Sequence, residues 1–282
     1  MSKEIIEARK FVGERALFAE NGLILKNCTF ADGESPIKEC SDIEAYGCLF
    51  HWRYPIWYSE NIKVEDSTMF ADARAAVWYT TGISVKNTVV QAPKSFRRCH
   101  GVALDNVKFS DADETLWHCS GVKLDHCYVK GEYFAMNSEN MDIHDLTLVG
   151  KYSFDGTKNC VIDSSHLVTK DAFWNTENVT VRNSIISSEY LGWNAKNLTL
   201  ENCTVESLQG MCYIDNLVMR NCRLLNTTLA FEYSTVDADI TGSVDSVLNP
   251  SGGRITADSI GELIVEKDKV DPSRTKITLR NG

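Results

Sequence analysis

A repeat of about 19 residues runs through most of the chain and constrains its fold more than any other feature. In each repeat a short alternating apolar run ends at an Asn-like residue, which is followed by a small or apolar residue. These following residues are Cys28, Cys48, Ser67, Thr88, Val107, Cys127, Leu146, Ser165, Ser184, Cys203 and Cys222, at intervals of 19 to 21 residues. Ankyrin, tetratricopeptide and propeller repeats are longer than this, and the leucine-rich consensus does not occur, so the repeat indicates another kind of solenoid.

Each repeat contains short strands joined at corners. Apolar and polar residues alternate, as in Ile62, Lys63 and Val64, which is typical of a strand with one buried face. Residue types that tolerate the left-handed αL conformation flank the strands in two columns. The columns are Gly22, Asp42, Asn61, Gly82, Gly101, Gly121, Asn140, Asn159, Asn178, Asn197, Asn216, and Asn27, Gly47, Asp66, Asn87, Asn106, His126, Asp145, Ser164, Asn183, Asn202, Asn221.

The pattern predicts an all-β fold, a right-handed single-stranded parallel β-helix with about 12 coils and three short strands per coil. Successive coils would stack at about 4.8 Å. We expect a single domain over residues 1–282, with an N-terminal cap over 1–12, coils over 13–245, and irregular coils with a C-terminal cap over 246–282.

The composition limits the classes of partner that the protein could bind. The formal net charge is −10 and the pI about 5.1, which argues against nucleic-acid binding because phosphates would be repelled. The first ten residues mix charges into the apolar ones, and no apolar run is long enough to span a bilayer. We therefore expect a cytoplasmic protein that binds neither nucleic acid nor membrane.

The 10 cysteines fit the repeat without disulfides or metal. Cys28, Cys48, Cys127, Cys203 and Cys222 fall in one inward column, and Cys40, Cys99 and Cys119 fall in another that selects small side chains. There is no Cys-x-x-Cys pair. We expect reduced, buried thiols that pack as small hydrophobes.

Five of the six tryptophans share an outer column with Lys38, Arg97 and Asp155, so this column cannot belong to the core. Together with the neighbouring polar column it forms an aromatic strip. One interpretation is an elongated groove in which aromatic faces stack on sugars and polar groups bind hydroxyls or uronates. The candidate substrate-binding residues are Trp57, Tyr58, Trp78, Tyr79, Arg97, Trp117, Tyr133, Asp155, Trp174, Asn175, Trp193 and Asn194. The alternatives are that a loop covers the strip, or that a partner protein or a second copy of the chain docks on it.

Candidate catalytic residues lie on the same face in the middle coils: Arg98, Glu114, His118 and Glu132. Carboxylates on neighbouring coils could reach glycosidase separations, and an Arg or His beside a carboxylate could take the α-proton of a uronate. The alternative is that these charges only keep a surface solvated. A lyase or hydrolase is therefore one hypothesis and a non-catalytic scaffold the other.

The opposite outer column carries both signs of charge and reads as a solvated face. His144 lies near Asp125 and Asp163 in the repeat, which could suggest a metal, but a histidine in a charge ladder is more often a surface residue. We expect no metal and no cofactor.

Several specific segments resemble a bacterial family of unknown function whose members are predicted to be pectate-lyase-like β-helices. They are 13–18, 33–36, 54–58, 94–98, 114–117, 170–175, 189–194 and 231–235, and the resemblance covers nearly the whole chain. It implies the fold but supplies no catalytic residues. The Asp ligands and Arg base of pectate lyases and the Gly-His-Gly of polygalacturonases have no counterpart here.

Overall fold

The computed structural model describes residues 3–281, which form a parallel β-solenoid of about 15 turns with almost no helix. The predicted all-β solenoid is confirmed, but the predicted number of about 12 coils is too small. The chain divides into two compact units, the first ending at Thr147 and the second beginning at Leu148.

The first unit contains β1 (Glu4–Glu7), β2 (Lys10–Phe11), β3 (Leu23–Lys26), β4 (Thr29–Phe30), β5 (Ile37–Lys38), β6 (Ser41–Tyr46), β7 (Leu49–Phe50), β8 (Ile56–Trp57), β9 (Glu60–Glu65), β10 (Thr68–Met69), β11 (Val77–Trp78), β12 (Thr81–Val90), β13 (His100–Phe109) and β14 (Ser120–Glu132), with a 3₁₀ turn at Ala71–Ala73. The division between the units falls within β15 (Glu139–Lys151).

The second unit continues with β16 (Lys158–Asp163), β17 (His166–Thr169), β18 (Asp171–Ala172), β19 (Glu177–Arg182), β20 (Ile185–Ser187), β21 (Tyr190–Leu191), β22 (Lys196–Glu201), β23 (Thr204–Glu206), β24 (Gln209–Gly210), β25 (Asp215–Leu225), β26 (Thr235–Ile240), β27 (Ser243–Leu248), β28 (Gly252–Ala257), β29 (Ser259–Ile264) and β30 (Thr275–Leu279), with a 3₁₀ turn at Pro272–Arg274.

Parallel pairing places each coil on the next in the register that the repeat predicts. Ile43 pairs with Ile62, and Ile62 pairs with Ile83, so the intervals are 19 and then 21 residues. Six coils within residues 3–281 carry the predicted three separate strands, as in β6, β7 and β8, whereas in coils such as those of β12 and β13 the first two strands run on as one. The additional coils come from the ends of the chain. There β1 pairs with β3, and β28 and β30 continue the stack from β26, so the terminal segments form coils as well.

The corners adopt the predicted αL conformation. All 22 residues of the two corner columns have a positive φ, between 47° and 71°. Many corner Asn side chains also bond along the stack, and we call such a row an amide ladder. In the second unit the Nδ2 of Asn197 donates to Oδ1 of Asn178 over 2.9 Å, and Asn197 Oδ1 accepts from Asn216 over 2.8 Å. The corner therefore supplies both a backbone conformation and hydrogen bonds between coils.

Replacing Asn197 separates these two contributions. We expect Asn197→Ala to lower the free energy of unfolding by about 2–3 kcal/mol, because it loses two side-chain bonds and forces alanine into αL. Asn197→Gly loses the same bonds but is free to adopt φ > 0, so it should be less destabilising by about 1 kcal/mol. Urea unfolding of the three proteins measures both differences. Equal losses in the two variants would show that αL strain contributes nothing here.

The interior is filled by columns of like side chains. Phe11, Phe30 and Phe50 stack with ring centroids 4.9 Å apart in each successive pair. All 10 cysteines are buried and free, as predicted. Burial raises the pKa of both Cys48 and Cys127 to about 11, so these thiols stay protonated and unreactive at neutral pH.

The raised thiol pKa values predict a loss of stability in alkali. In the unfolded chain a thiol ionises near pH 8.5, whereas folded Cys127 holds its proton up to about pH 11. The folded state therefore binds more protons between these limits, and the free energy of unfolding falls as pH rises through them. In Cys127→Ala this fall, measured by urea unfolding at pH 8 and pH 10, should be smaller by about 2 kcal/mol.

Val107 provides the matched control, because it is buried in the same inward column but does not titrate. Val107→Ala should lower stability equally at both pH values and leave the wild-type slope intact. If Cys127→Ala also keeps the wild-type slope, the thiol does not carry the effect.

Candidate functional site

In the first unit the aromatic strip is a packed column. The rings of Trp57 and Trp78 stack with centroids 5.2 Å apart and an interplanar angle of 6°. The guanidinium of Arg97 then lies between two indoles, with Cζ 5.2 Å from the Trp78 centroid and 4.3 Å from that of Trp117. Trp57, Trp78, Arg97 and Trp117 are called here the first-unit ladder. Cation–π attraction and stacking therefore hold successive coils together on this face.

Hydrogen bonds fix the same indoles. The Nε1 of Trp57 donates to the Ala75 carbonyl over 3.0 Å, and that of Trp78 to the Lys94 carbonyl over 2.8 Å. Trp117 donates in the same way to Tyr133, over 2.6 Å. Because the facing indole surfaces are covered within the ladder, its members offer mainly ring edges to a ligand. The ring faces of the first-unit ladder are therefore covered by its own members. This arrangement differs from the three considered above, in which a ligand, a loop or a docked partner covers the strip.

An ion-pair cluster anchors Arg97. Glu114 Oε2 pairs with the Arg97 guanidinium and lies 3.2 Å from Lys94 Nζ. Burial alone would raise the pKa of Glu114, but the hydrogen bonds from Arg97 and Lys94 outweigh it, and the net pKa is lowered. Glu114 is therefore a permanent carboxylate at neutral pH. That state suits a counter-ion for Arg97 and does not suit a general acid.

We expect Glu114→Gln to lower the free energy of unfolding by about 1–2 kcal/mol at pH 7, because Arg97 loses its counter-ion in a half-buried stack. The contribution is present above the ordinary Glu pKa and is lost as pH falls through the lowered pKa of Glu114. The variant should therefore approach wild-type stability in acid. Glu139→Gln, on an exposed strand position, is the control. Equal unfolding midpoints for all three proteins at pH 7 would contradict a stabilising ion pair.

The other catalytic candidates lie on neighbouring coils, since the Arg98 N–H donates to the Trp117 carbonyl and the Glu114 N–H to the Glu132 carbonyl. Arg98 and His118 are exposed corner residues with φ of 51° and 52°. Among residues 3–281 their side chains make no hydrogen bond or ion pair. Glu132 is half-buried, and its backbone N–H donates to Asp113 Oδ1 over 2.7 Å. Arg98 and His118 are thus not joined to each other by a side-chain bond.

Arg98 and His118 belong to a third αL corner that the sequence does not reveal. It includes Glu39, Tyr58, Tyr79, Arg98, His118, Asn137, Asn175, Asn194, Tyr213 and Tyr233, with φ from 51° to 59°. The sequence predicts a polar, ligand-facing column here because Tyr and Arg do not favour αL. Tyr58 and Tyr79 are exposed, but they stack on each other with centroids 4.7 Å apart and an angle of 4°.

In the second unit this corner forms an amide ladder. Asn175 Nδ2 donates to Asp155 Oδ1 over 2.8 Å, and Asn194 Nδ2 donates to Asn175 Oδ1 over 2.9 Å. Three of the predicted substrate-binding residues therefore use side-chain atoms to join coils. A ligand could still approach Asn194, which lies at the donor end of this row and is exposed.

The aromatic residues of the second unit are arranged differently from the first-unit ladder. Trp174 and Trp193 are tilted by 39° with centroids 6.1 Å apart, and Trp193 and Tyr213 by 38° at 4.5 Å. Trp193 and Tyr213 are 37% and 40% exposed. Because the rings are tilted, they leave a cavity of about 360 Å³ lined by Trp174, Tyr190, Trp193, Gln209, Tyr213 and Glu232. We call this space the aromatic cavity.

Polar groups at the aromatic cavity are placed to bind. Gln209 Nε2 donates to Glu232 Oε2 over 2.9 Å, which leaves further carboxylate and amide atoms for a ligand. Burial, with a smaller effect of Glu232, raises the pKa of Tyr213, so its hydroxyl stays protonated. The Nε1 of Trp174 is buried and has no hydrogen-bond partner. An unpaired buried donor costs free energy.

Two residues that line the aromatic cavity, Gln209 and Glu232, are not among the candidates that the sequence predicts. Gln209 lies opposite Tyr190 in the pairing of β24 with β21. Glu232 follows Phe231 as Trp174 follows Phe173, so the repeat carried one coil further would have placed it in the tryptophan column. The loosened spacing beyond Cys222 hid that register.

Asp171 is a second unusual carboxyl group of this unit. It is 3% exposed, its Oδ1 has no hydrogen-bond partner, and burial raises its pKa. Among the described carboxyl groups whose pKa is shifted, it is the one shifted upward. Burial therefore favours the protonated form of Asp171, whereas the ion pairs of Glu114 favour its charged form.

The structure and the repeat together define a parallel β-solenoid protein whose outer aromatic column is packed in one unit and opened into a cavity in the other. No helix in the described part of the chain is long and apolar enough to cross a membrane.

The chain belongs to the family described as "Protein of unknown function (DUF3737)", whose model matches residues 4–278. The predicted membership of a β-helix family of unknown function is thereby confirmed. No curated protein matches the sequence.

Several solved structures are similar to the chain at low identity. The surface adhesin PfbA of Streptococcus pneumoniae matches with 9% identity and a TM-score of 0.38, over 93% of this chain and 81% of the other. A mannuronic acid specific polysaccharide family 6 lyase from human gut microbiota matches with 11% identity and a TM-score of 0.36, over 95% and 85%. The Azotobacter vinelandii mannuronan C-5 epimerase AlgE4 A-module matches with 9% identity and a TM-score of 0.29, over 98% and 89%.

Proposed function

We propose that the protein binds a carbohydrate and that the aromatic cavity of the second unit is its principal binding site. The observation that supports this proposal is the cavity itself: about 360 Å³ beside tilted aromatic rings, with Gln209 and Glu232 in its lining. Its volume lies within the usual range for small-molecule sites.

The chemistry of the lining matches a sugar. The apolar C–H face of a pyranose packs on an aromatic ring, and Trp193 and Tyr213 are exposed and tilted apart. Sugar hydroxyls both donate and accept hydrogen bonds. Glu232 can accept, and Gln209 can do both. A flat apolar ligand would leave these two groups desolvated and without partners, so the lining favours a polyhydroxylated one.

The charge of the lining favours a neutral or amino sugar over a uronate. Glu232 is the one charged residue among the six that line the cavity, so it would repel a uronate carboxylate. In the first unit Arg97, a predicted uronate contact, is already held between two indoles and paired with Glu114. The proposal is therefore one of binding a neutral or amino sugar, and it assigns no reaction.

Tryptophan fluorescence titration with neutral, amino-sugar and uronate oligosaccharides tests the proposal. We expect a neutral or amino-sugar oligomer to change the fluorescence saturably, and Trp193→Ala and Tyr213→Ala each to weaken binding about tenfold, a loss of about 1.4 kcal/mol. Calorimetry with the same ligands provides a readout that does not depend on the removed indole.

Tyr58→Ala is the matched control, because Tyr58 is an exposed aromatic of the first unit, outside the cavity. It should bind as the wild type does. Binding that is lost in Tyr58→Ala but kept in Trp193→Ala would move the site to the other unit. If no sugar changes the fluorescence or gives a calorimetric signal, the carbohydrate proposal is wrong. A protein partner is then the remaining occupant of this face.

A further inference from the structure

Two histidines and an aspartate converge on the surface of the first unit, away from the residues of the aromatic strip. Asp125, His126 and His144 each offer one ligand atom, and these atoms all lie within 4.8 Å of one another. The Nδ1 of His144 lies 2.9 Å from Asp125 Oδ1, and the Nδ1 of His126 lies 3.2 Å from the same oxygen. The two rings are nearly perpendicular, at 82°, with centroids 6.0 Å apart.

The repeat produces this convergence in a way that single columns do not show. His126 occupies an αL corner directly after Asp125, with φ of 51°, whereas His144 comes from the next coil, 19 residues beyond Asp125. The sequence indicates a lone histidine in a charged column, because His126 reads as a corner residue. The structure supplies the second imidazole, which changes the chemistry of the group from a surface charge pair to a two-nitrogen ligand set.

The distances are close to those that a metal ion needs. Zinc binds imidazole nitrogen at about 2.0–2.1 Å and carboxylate oxygen at about 2.0–2.2 Å, so tetrahedral ligand atoms lie roughly 3.4 Å apart. The two nitrogen–oxygen distances of 2.9 and 3.2 Å need to widen only slightly. The side chains of His126 and His144 are 56% and 54% exposed, so both lie at the surface, where an ion can reach them.

The residues around Asp125, His126 and His144 add negative charge and leave the group accessible from solvent. Asp105 Oδ1 lies 3.6 Å from His126 Nδ1, and Asp145 Oδ2 lies 3.9 Å from His126 Nε2. Lys86 pairs with the other oxygen of Asp105 at 2.8 Å, which neutralises that carboxylate in part. A surface cavity of about 460 Å³, lined in part by Asp105, Asp125 and His144, reaches the group from solvent. Coordination positions not filled by protein would therefore be open to water or to a ligand.

We propose that Asp125, His126 and His144 form a binding site for a divalent transition metal ion of the zinc type. Two imidazole nitrogens and one carboxylate oxygen suit Zn²⁺, Ni²⁺, Co²⁺ or Cu²⁺, whereas Mg²⁺ and Ca²⁺ prefer oxygen ligands alone. This site is independent of carbohydrate binding, because none of its residues lines the aromatic cavity.

Isothermal titration of the full chain without a polyhistidine tag, using ZnCl₂ and NiCl₂, tests the proposal. We expect one ion per chain, and at least a tenfold weaker affinity in His126→Ala, in His144→Ala and in Asp125→Asn. His166→Ala, which removes an exposed histidine of the second unit, is the matched control and should bind as the wild type does. Equal melting temperatures of the metal-free variants show that each is folded.

Electron paramagnetic resonance of the Cu²⁺ form gives a readout of the ligands themselves. The wild type should show hyperfine coupling to two imidazole nitrogens, and His144→Ala coupling to one. Stoichiometric binding that survives in the His126→Ala/His144→Ala double variant, or an affinity no tighter in the wild type than in that variant, would overturn the site. Displacement of Zn²⁺ by equimolar Mg²⁺ would overturn the assigned metal class.

Discussion

The structure depends on the parallel, in-register pairing of each coil with the next. Because the interval is close to 19 residues, a side chain meets the equivalent side chain of its neighbour about 4.8 Å away, and like packs on like. Buried Phe11, Phe30 and Phe50 stack for this reason, and so do Trp57 and Trp78 on the outside. The same pairing thus builds the core, the corners and the surface columns, and a surface column cannot be understood without its neighbours along the stack.

The repeat made much of the fold predictable, because its spacing and its corner residues are local signals. The residue type of Asn178 and Asn197 indicates an αL corner, and the small side chains of Cys48 and Cys127 indicate an inward column. The C-terminal coils were hard to predict because β28 and β30 follow intervals of 17 and 22 residues, outside the range of the repeat, whereas the N-terminal coil keeps an interval of 19 from Glu4 to Leu23.

The candidate site was less predictable, because a column gives the order of side chains but not the orientation of their rings. Trp57 and Trp174 occupy the same kind of position, yet Trp57 lies flat on its neighbour whereas Trp174 is tilted beside a cavity. The third corner was not predicted because Tyr58 and Arg98 adopt αL against the preference of their residue types. There the register of the coils overrides residue propensity, and only coordinates reveal it.

The amide ladders have a direction. Each Nδ2 donates toward the coil before it, so the amide dipoles of a row are aligned along the stack and polarise one another. Three rows have a carboxylate at the end toward which the N–H groups point: Asp66 receives Asn87, Asp155 receives Asn175, and Asp163 receives Asn183. The hydrogen bond from Asn183 is the main cause of the lowered pKa of Asp163. These rows act on an anion as the first turn of an α-helix does, so a solenoid with almost no helix has its own aligned dipoles, made from side chains.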